Sequence, residues 1–224
     1  MCPQEVGCFT RALQCAPEQI RTFDLLNGRP SHRQWDAVDM VLLGGSGDYS
    51  VAQGGPWLER VLDTMRDLHA RSKPTFASCW GFQAIAKALG GDIVTDLARA
   101  ELGTLKLRLT EAGEHDPLFG PLGPTPLVHM GHQDIVESLP ADAVLLASTD
   151  RVENQAFCFA GKPIYCTQFH PELTVLSLIK RLRAYPEYVA KIAGMPLDAF
   201  LQTLAETPET NALLRRFVQH VFSD

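Results

Sequence analysis

The sequence predicts an α/β protein in three layers: a mostly parallel central sheet, helices on both of its faces, and an antiparallel extension. Three observations predict it. Short apolar runs alternate with stretches of helical spacing from Ile20 to Gly91, a pattern that winds strand–helix–strand units around a parallel sheet. Glycine clusters sit at the run ends, at Gly44-Gly45-Ser46-Gly47 and Gly90-Gly91. From about Gly103 the texture changes to alternating apolar and polar residues, which suits antiparallel strands with one solvated face.

Taken in order, the chain opens on a helix, Gln4 to Leu13. Ile20 to Leu25 reads as a short strand, and Ala37 to Leu43 as a buried one running into the first glycine cluster. Pro56 to Arg71 is a helix: proline suits its first turn, and Leu58, Val61, Leu62, Met65 and Leu68 recur at helical spacing. Pro74 to Ser78 is a strand, and Trp80 to Leu89 a helix stopped by glycine. Gly103 to Thr110, Pro126 to Val136, Ala143 to Ser148 and Asn154 to Phe169 are further strands, the last a hairpin turned at Gly161-Lys162-Pro163. The tail is helical at Val175 to Tyr185, Leu197 to Ala205 and Asn211 to Phe222. No repeat or flexible linker interrupts residues 1–224, so one domain is expected, with a helical C-terminal tail from about Thr174. A doubly wound sheet normally places a strand before its first helix. Here the helix comes first, so a strand upstream of Met1 in the natural chain is expected. Without one, buried peptide groups would go unpaired at about 1–3 kcal/mol each.

The 224 residues are 46% hydrophobic and 21% charged, ordinary for a globular chain. A chain of this length buries roughly 70% of its unfolded surface and needs no metal or disulfide staple. Twenty Lys+Arg against 26 Asp+Glu give a net charge of −6, which disfavours a nucleic-acid partner. No run of 18 apolar residues suggests a membrane span, and Met1-Cys2-Pro3-Gln4-Glu5 is no signal peptide. The six cysteines show no C-x-x-C spacing, so zinc is not expected. Reduced thiols in the cytoplasm are the expectation.

Cys79 lies at a strand-to-helix junction, Ala77-Ser78-Cys79-Trp80-Gly81. A nucleophile on such a turn projects above the sheet, with the positive end of a helix beside its sulfur. Ala77 and Gly81 are small enough to flank that turn. His170-Pro171-Glu172 follows the last strand and supplies a base and its orienter from one loop. Acyl transfer also needs two donors for a developing oxyanion. The Trp80 amide and a glycine amide, Gly45, can provide them. Neither nucleotide-binding glycine signature is present at that loop.

Gly44-Gly45, the Cys79-Trp80-Gly81-Phe82-Gln83 elbow and Gln168 to Glu172 resemble the three signature regions of class I (triad-type) glutamine amidotransferases. Within them, the chain is most similar to the glutaminase domain of GMP synthetase and its stand-alone relatives. The resemblance covers roughly residues 20–180 and implies a flavodoxin-like fold. It implies a catalytic triad of Cys79, His170 and Glu172, an oxyanion hole from the Gly45 and Trp80 amides, and no cofactor or metal. The substrate is then L-glutamine or another γ-glutamyl compound, the partner a separate synthetase that accepts the ammonia, and no membrane is involved. Val128 to Asp134 resembles the segment that helps bind glutamine, which would add Gly131, His132, Gln133 and Asp134, with Gly44 and Gln83, to substrate binding. The chain departs from the family pattern at Ala77 for glycine, at Ser46 for proline, and at Gln133 within a usual His-Gly-Asp. The competing readings are a γ-glutamyl hydrolase with the same triad, a cysteine peptidase or chaperone-like protein of similar fold, and a non-catalytic regulatory protein.

Overall fold

The computed structural model describes residues 3–223. Its strands are β1 (Val41–Leu43), β2 (Thr75–Ser78), β3 (Asp92–Thr95), β4 (Glu101–Lys106), β5 (Arg108–Leu109), β6 (Leu127–His132), β7 (Asp134–Ser138), β8 (Ala143–Ser148), β9 (Ala156–Phe159) and β10 (Ile164–Thr167). Its α-helices are α1 (Pro3–Leu13), α2 (His32–Asp36), α3 (Leu58–Ala70), α4 (Trp80–Ala88), α5 (Glu111–His115), α6 (Val175–Ala184), α7 (Pro186–Tyr188), α8 (Leu197–Leu201), α9 (Pro208–Asn211) and α10 (Leu213–Phe222).

Six strands form the central sheet in the order β1-β2-β10-β9-β8-β5. β1, β2 and β10 run parallel, and β9, β8 and β5 extend the sheet antiparallel. The β3–β7 and β4–β6 pairs form two separate antiparallel ribbons. Parallel strands covered on both faces read as continuous apolar runs, and β2 and β10 are buried at every position.

Alternation divides these strands between two cores. Ala77, Ile164 and Cys166 pack with Val61, Met65 and Leu68 of α3 and with Phe82 and Ile85 of α4. Phe76 and Tyr165 face the other way, onto Phe9 of α1 and Leu213 and Phe217 of α10. Phe76 and Phe217 meet edge to face at 5.6 Å. Each such fully buried side chain contributes about 1.5–3 kcal/mol. A third cluster joins Cys8 and Leu173 to Leu178 and Leu182 of α6 and Phe200 of α8.

The expected layers, the first helix, the Asn154 to Phe169 hairpin and its turn at Gly161 (φ 72°) are all present. Several elements differ. Ile20 to Leu25 forms no strand. It lies across a cleft of about 1310 Å³ from β1, and among the described residues no strand pairs with it. The strand expected from Ala37 begins only at Val41: Ala37 caps the C-terminus of α2, and residues 38–40 lead irregularly from that cap into β1. Pro126 to Val136 is split at Gln133 into β6 and β7, which pair with different partners. The helix expected to reach Ala205 ends at Leu201, and the one expected from Asn211 to Phe222 starts two residues later as α10, after the short α9 that ends at Asn211.

Candidate active site

Three chain segments converge where β1, β2 and β10 end. β2 delivers Cys79, whose amide donates to the Thr167 carbonyl of β10 at 2.8 Å. The turn is so sharp that Cys79 adopts φ 52°, ψ −103°, a region L-residues avoid unless their surroundings hold them there. Close packing imposes the turn. A Cβ on Gly81 would lie 2.4 Å from Leu43 Cβ, and the Gly81 amide donates to the Gly44 carbonyl at 3.2 Å. The elbow and the glycine loop after β1 are thus fastened to each other.

His170 enters from the exit of β10, its amide donating to the His129 carbonyl at 2.9 Å. Its Nδ1 lies 2.6 Å from Glu172 Oε1, with both side chains buried. Burial alone would lower the His170 pKa. The charges of Glu172 and Cys79 and the hydrogen bonds to both together outweigh it, so the pKa is raised. Burial pushes the Glu172 carboxyl the other way, but His170 and then Arg181 hold it below the usual carboxylate range. The surroundings of His170 therefore favour its protonated imidazole, paired with an ionised Glu172.

Gly45 faces this group. A Cβ there would stand 2.8 Å from His170 Cε1 and 3.6 Å from Cys79 Cβ. Among the described residues, neither the Gly45 nor the Trp80 amide finds a loop or cap acceptor in the fold. Both remain available to an oxygen above the thiol. Trp80 starts α4 and packs on Trp57 at 5.9 Å, which in turn meets Tyr49 at 5.6 Å.

The residues expected to bind substrate separate into two groups. Gly44 and Gly131 line the cleft with Cys79, Trp80, Gly45 and His170, and the Cys79 thiol points to the Gly131 carbonyl at 3.9 Å. Gln83 is turned inward, donating to the Asp134 carbonyl and to Gln168 Oε1, both at 3.1 Å. His132 sits between Glu101 Oε2 and the Asp134 carbonyl, each at 3.1 Å. The Asp134 carboxylate accepts from Ser50 and Thr95 hydroxyls at 2.6 Å. Gln133 accepts from Lys191 at 3.2 Å. These bonds fasten the β6–β7 junction that holds Gly131 against the thiol.

Four side chains near the site were not singled out by sequence. His129 lies in β6 behind His170. Glu5 and Arg181 converge on Glu172 from α1 and α6. Tyr188 borders the cleft and feels the charges of Cys79 and Asp134. Glu5 alone left a readable signal: it shares the buried helical face of Phe9. Among the described residues no cluster of three or more His, Cys, Asp or Glu could hold a metal.

The class-I glutamine amidotransferase family model matches residues 12–177. The chain belongs to that family. The chain is 36% identical over 120 residues to one of the chains of the glutamine-hydrolyzing GMP synthase of Methanothermobacter thermautotrophicus, covering 54% of this chain and 62% of that one. It is 33% identical over 159 residues to the GMP synthase of Flavobacterium psychrophilum, covering 70% of this chain but 28% of the larger enzyme. The chain thus spans less than two thirds of either relative. Its fold is that of a glutamine amidotransferase from Thermotoga maritima, with a TM-score of 0.79 at 20% identity over 100% of this chain and 95% of the other.

Proposed function

We propose that this amidotransferase hydrolyses the side-chain amide of glutamine and passes the ammonia to an acceptor on a separate synthetase. One observation carries the reading: a thiol held on a strained elbow converges with a histidine that a buried carboxylate clamps at 2.6 Å. Cys79 Sγ, its proton already passed to His170, attacks the amide carbon. The C–N bond breaks as His170 returns that proton to the departing nitrogen, leaving a γ-glutamyl thioester and ammonia. Water then attacks the thioester, giving one proton to His170, which restores it to sulfur as glutamate leaves. Glu172 orients the imidazole and stabilises its charge. The Gly45 and Trp80 amides receive the oxyanion in both steps.

The Methanothermobacter relative, named as a single component of a GMP synthase, supports a partner synthetase acting on a purine-type acceptor. Cys8, Cys15, Cys79, Cys158 and Cys166 are free thiols, in keeping with a reducing, cytoplasmic setting. Among the described residues no helix is long and apolar enough to cross a membrane.

Glutamate release from glutamine, measured with and without a candidate synthetase, tests the proposal. Cys79→Ala is expected to lower turnover at least about a thousandfold with an unchanged circular dichroism spectrum. A diazo-ketone analogue of glutamine is expected to label Cys79 alone. Wild-type turnover by the alanine variant would remove the thiol from the reaction.

A further inference from the structure

On the Nδ1 side of His170, two charged residues from helices distant in sequence meet the expected triad. Arg181 of α6 brings Nη2 to 3.7 Å from Glu172 Oε1 and 3.5 Å from Glu5 Oε1. Its Nη1 lies 3.4 Å from His170 Nδ1, whose hydrogen is committed to Glu172 at 2.6 Å. Both outer side chains are mostly covered, at 21% and 15% exposure, and Glu172 is at 0%. Glu5 also reaches the glycine loop, since a Cβ on Gly44 would meet Glu5 Oε1 at 2.8 Å. From the thiol outward, the groups are Cys79, His170, Glu172, Arg181 and Glu5, and their charges alternate in sign when the thiol is ionised.

Resting on the glutaminase reading, we infer that Arg181 is a positioning residue for the reaction: it holds Glu172 ionised and aimed at His170, and Glu5 balances its charge. The contacts are ion-pair distances without hydrogen-bond geometry for Nη2, so the effect is electrostatic. In a buried site an opposite charge this close favours ionisation, and a lone Arg181 would repel the imidazolium it lies beside. Burial raises the Glu5 pKa, Arg181 draws it back, and Glu172 raises it again, as expected of two carboxylates sharing one guanidinium. Other charged or titratable groups face this array. His129 approaches from β6, and Arg11 of α1 and Arg215 of α10 line, with Glu172, a small cavity of about 310 Å³.

The test reads Cys79 without requiring glutamine: the rate of alkylation by iodoacetamide against pH, beside the pH profile of glutamine turnover. Arg181→Met is expected to move the acidic limb of both profiles upward by about one pH unit, slowing alkylation about tenfold below that limb. Turnover falls through kcat rather than KM, and Arg181→Lys restores the limb. Arg181→Gln gives the same shift should the methionine variant fail to fold. Adding Glu5→Gln to Arg181→Met reduces the shift, because Glu172 then faces no unbalanced carboxylate. Alkylation profiles identical in the wild type and a folded, neutral variant would overturn the inference even where glutamine hydrolysis stands. A wild-type chain that releases no glutamate with any synthetase would instead sink the functional reading, with the alkylation comparison still standing.

Discussion

His129 shows how a single residue turns position into pH dependence. It is fully buried beside the expected triad, and its Nε2 has no partner among the described residues. Desolvation, with the nearby His170 charge, pushes its pKa down to about 4, against a partial pull from Glu172. An unfolded chain therefore takes up a proton below about pH 6.5 that the folded chain refuses until about pH 4. Its share of stability is fully present above the upper value and is lost as pH falls through that window, by up to about 3 kcal/mol. His170 has the opposite sign: its raised pKa contributes stability below the unfolded value that is lost as pH rises through the folded one. Urea midpoints between pH 6.5 and pH 5 read the first effect, with the His129→Gln variant separating it from His69, whose pKa burial also lowers. The wild type is expected to lose stability across that interval and His129→Gln to lose markedly less. Equal slopes would show that His129 does not drive it.

At the scale of elements, the elbow between β2 and α4 depends on Gly81. Any Cβ there drives into Leu43 of β1, and neither side can yield without moving a strand or Cys79. Gly81→Ala is expected to destabilise the fold by about 1–3 kcal/mol, as overpacking does, and to slow turnover beyond what a stability loss explains. A variant with wild-type melting and activity would show that the elbow tolerates the shift. This junction was legible because it joins a small-residue turn to an apolar run, and both signals are local. The hairpin of β9 and β10 was legible for the same reason. The strand expected at Ile20 to Leu25 has the right residues but no partner beside it, and pairing is not written in a short run of side chains. β3 follows Gly90-Gly91 with Ile93 and Val94 in a β-branched stretch, so its signal was present and missed. Gln83 was placed correctly at the elbow, yet its direction is decided by Asp134 and Gln168, more than fifty residues away. Arg181 and Glu5 lie 176 positions apart and meet only when α1 and α6 close on one loop.

At the scale of the whole molecule, the parts of the site differ in how firmly the sheet holds them. β2 and β10 sit inside it, paired on both sides. β1, which carries the glycine loop, is an edge three residues long, paired only with β2. The Val41 amide bonds to Pro74, so the alternation of a parallel strand turns the Leu42 peptide groups toward the cleft. The thiol and histidine are thus anchored in the most protected backbone, while Gly45, the second oxyanion donor of the proposed mechanism, hangs from the least. Solvent deuterium should therefore enter the chain unevenly. The Leu42 amide is expected to exchange orders of magnitude faster than those of Phe76 and Tyr165, through local opening that leaves the remainder folded. Slow exchange at Leu42 in the isolated chain would mean that another element shields it. Occupation of the cleft at Gly45 would then register as slowed labelling along β1, a readout of binding that needs no turnover.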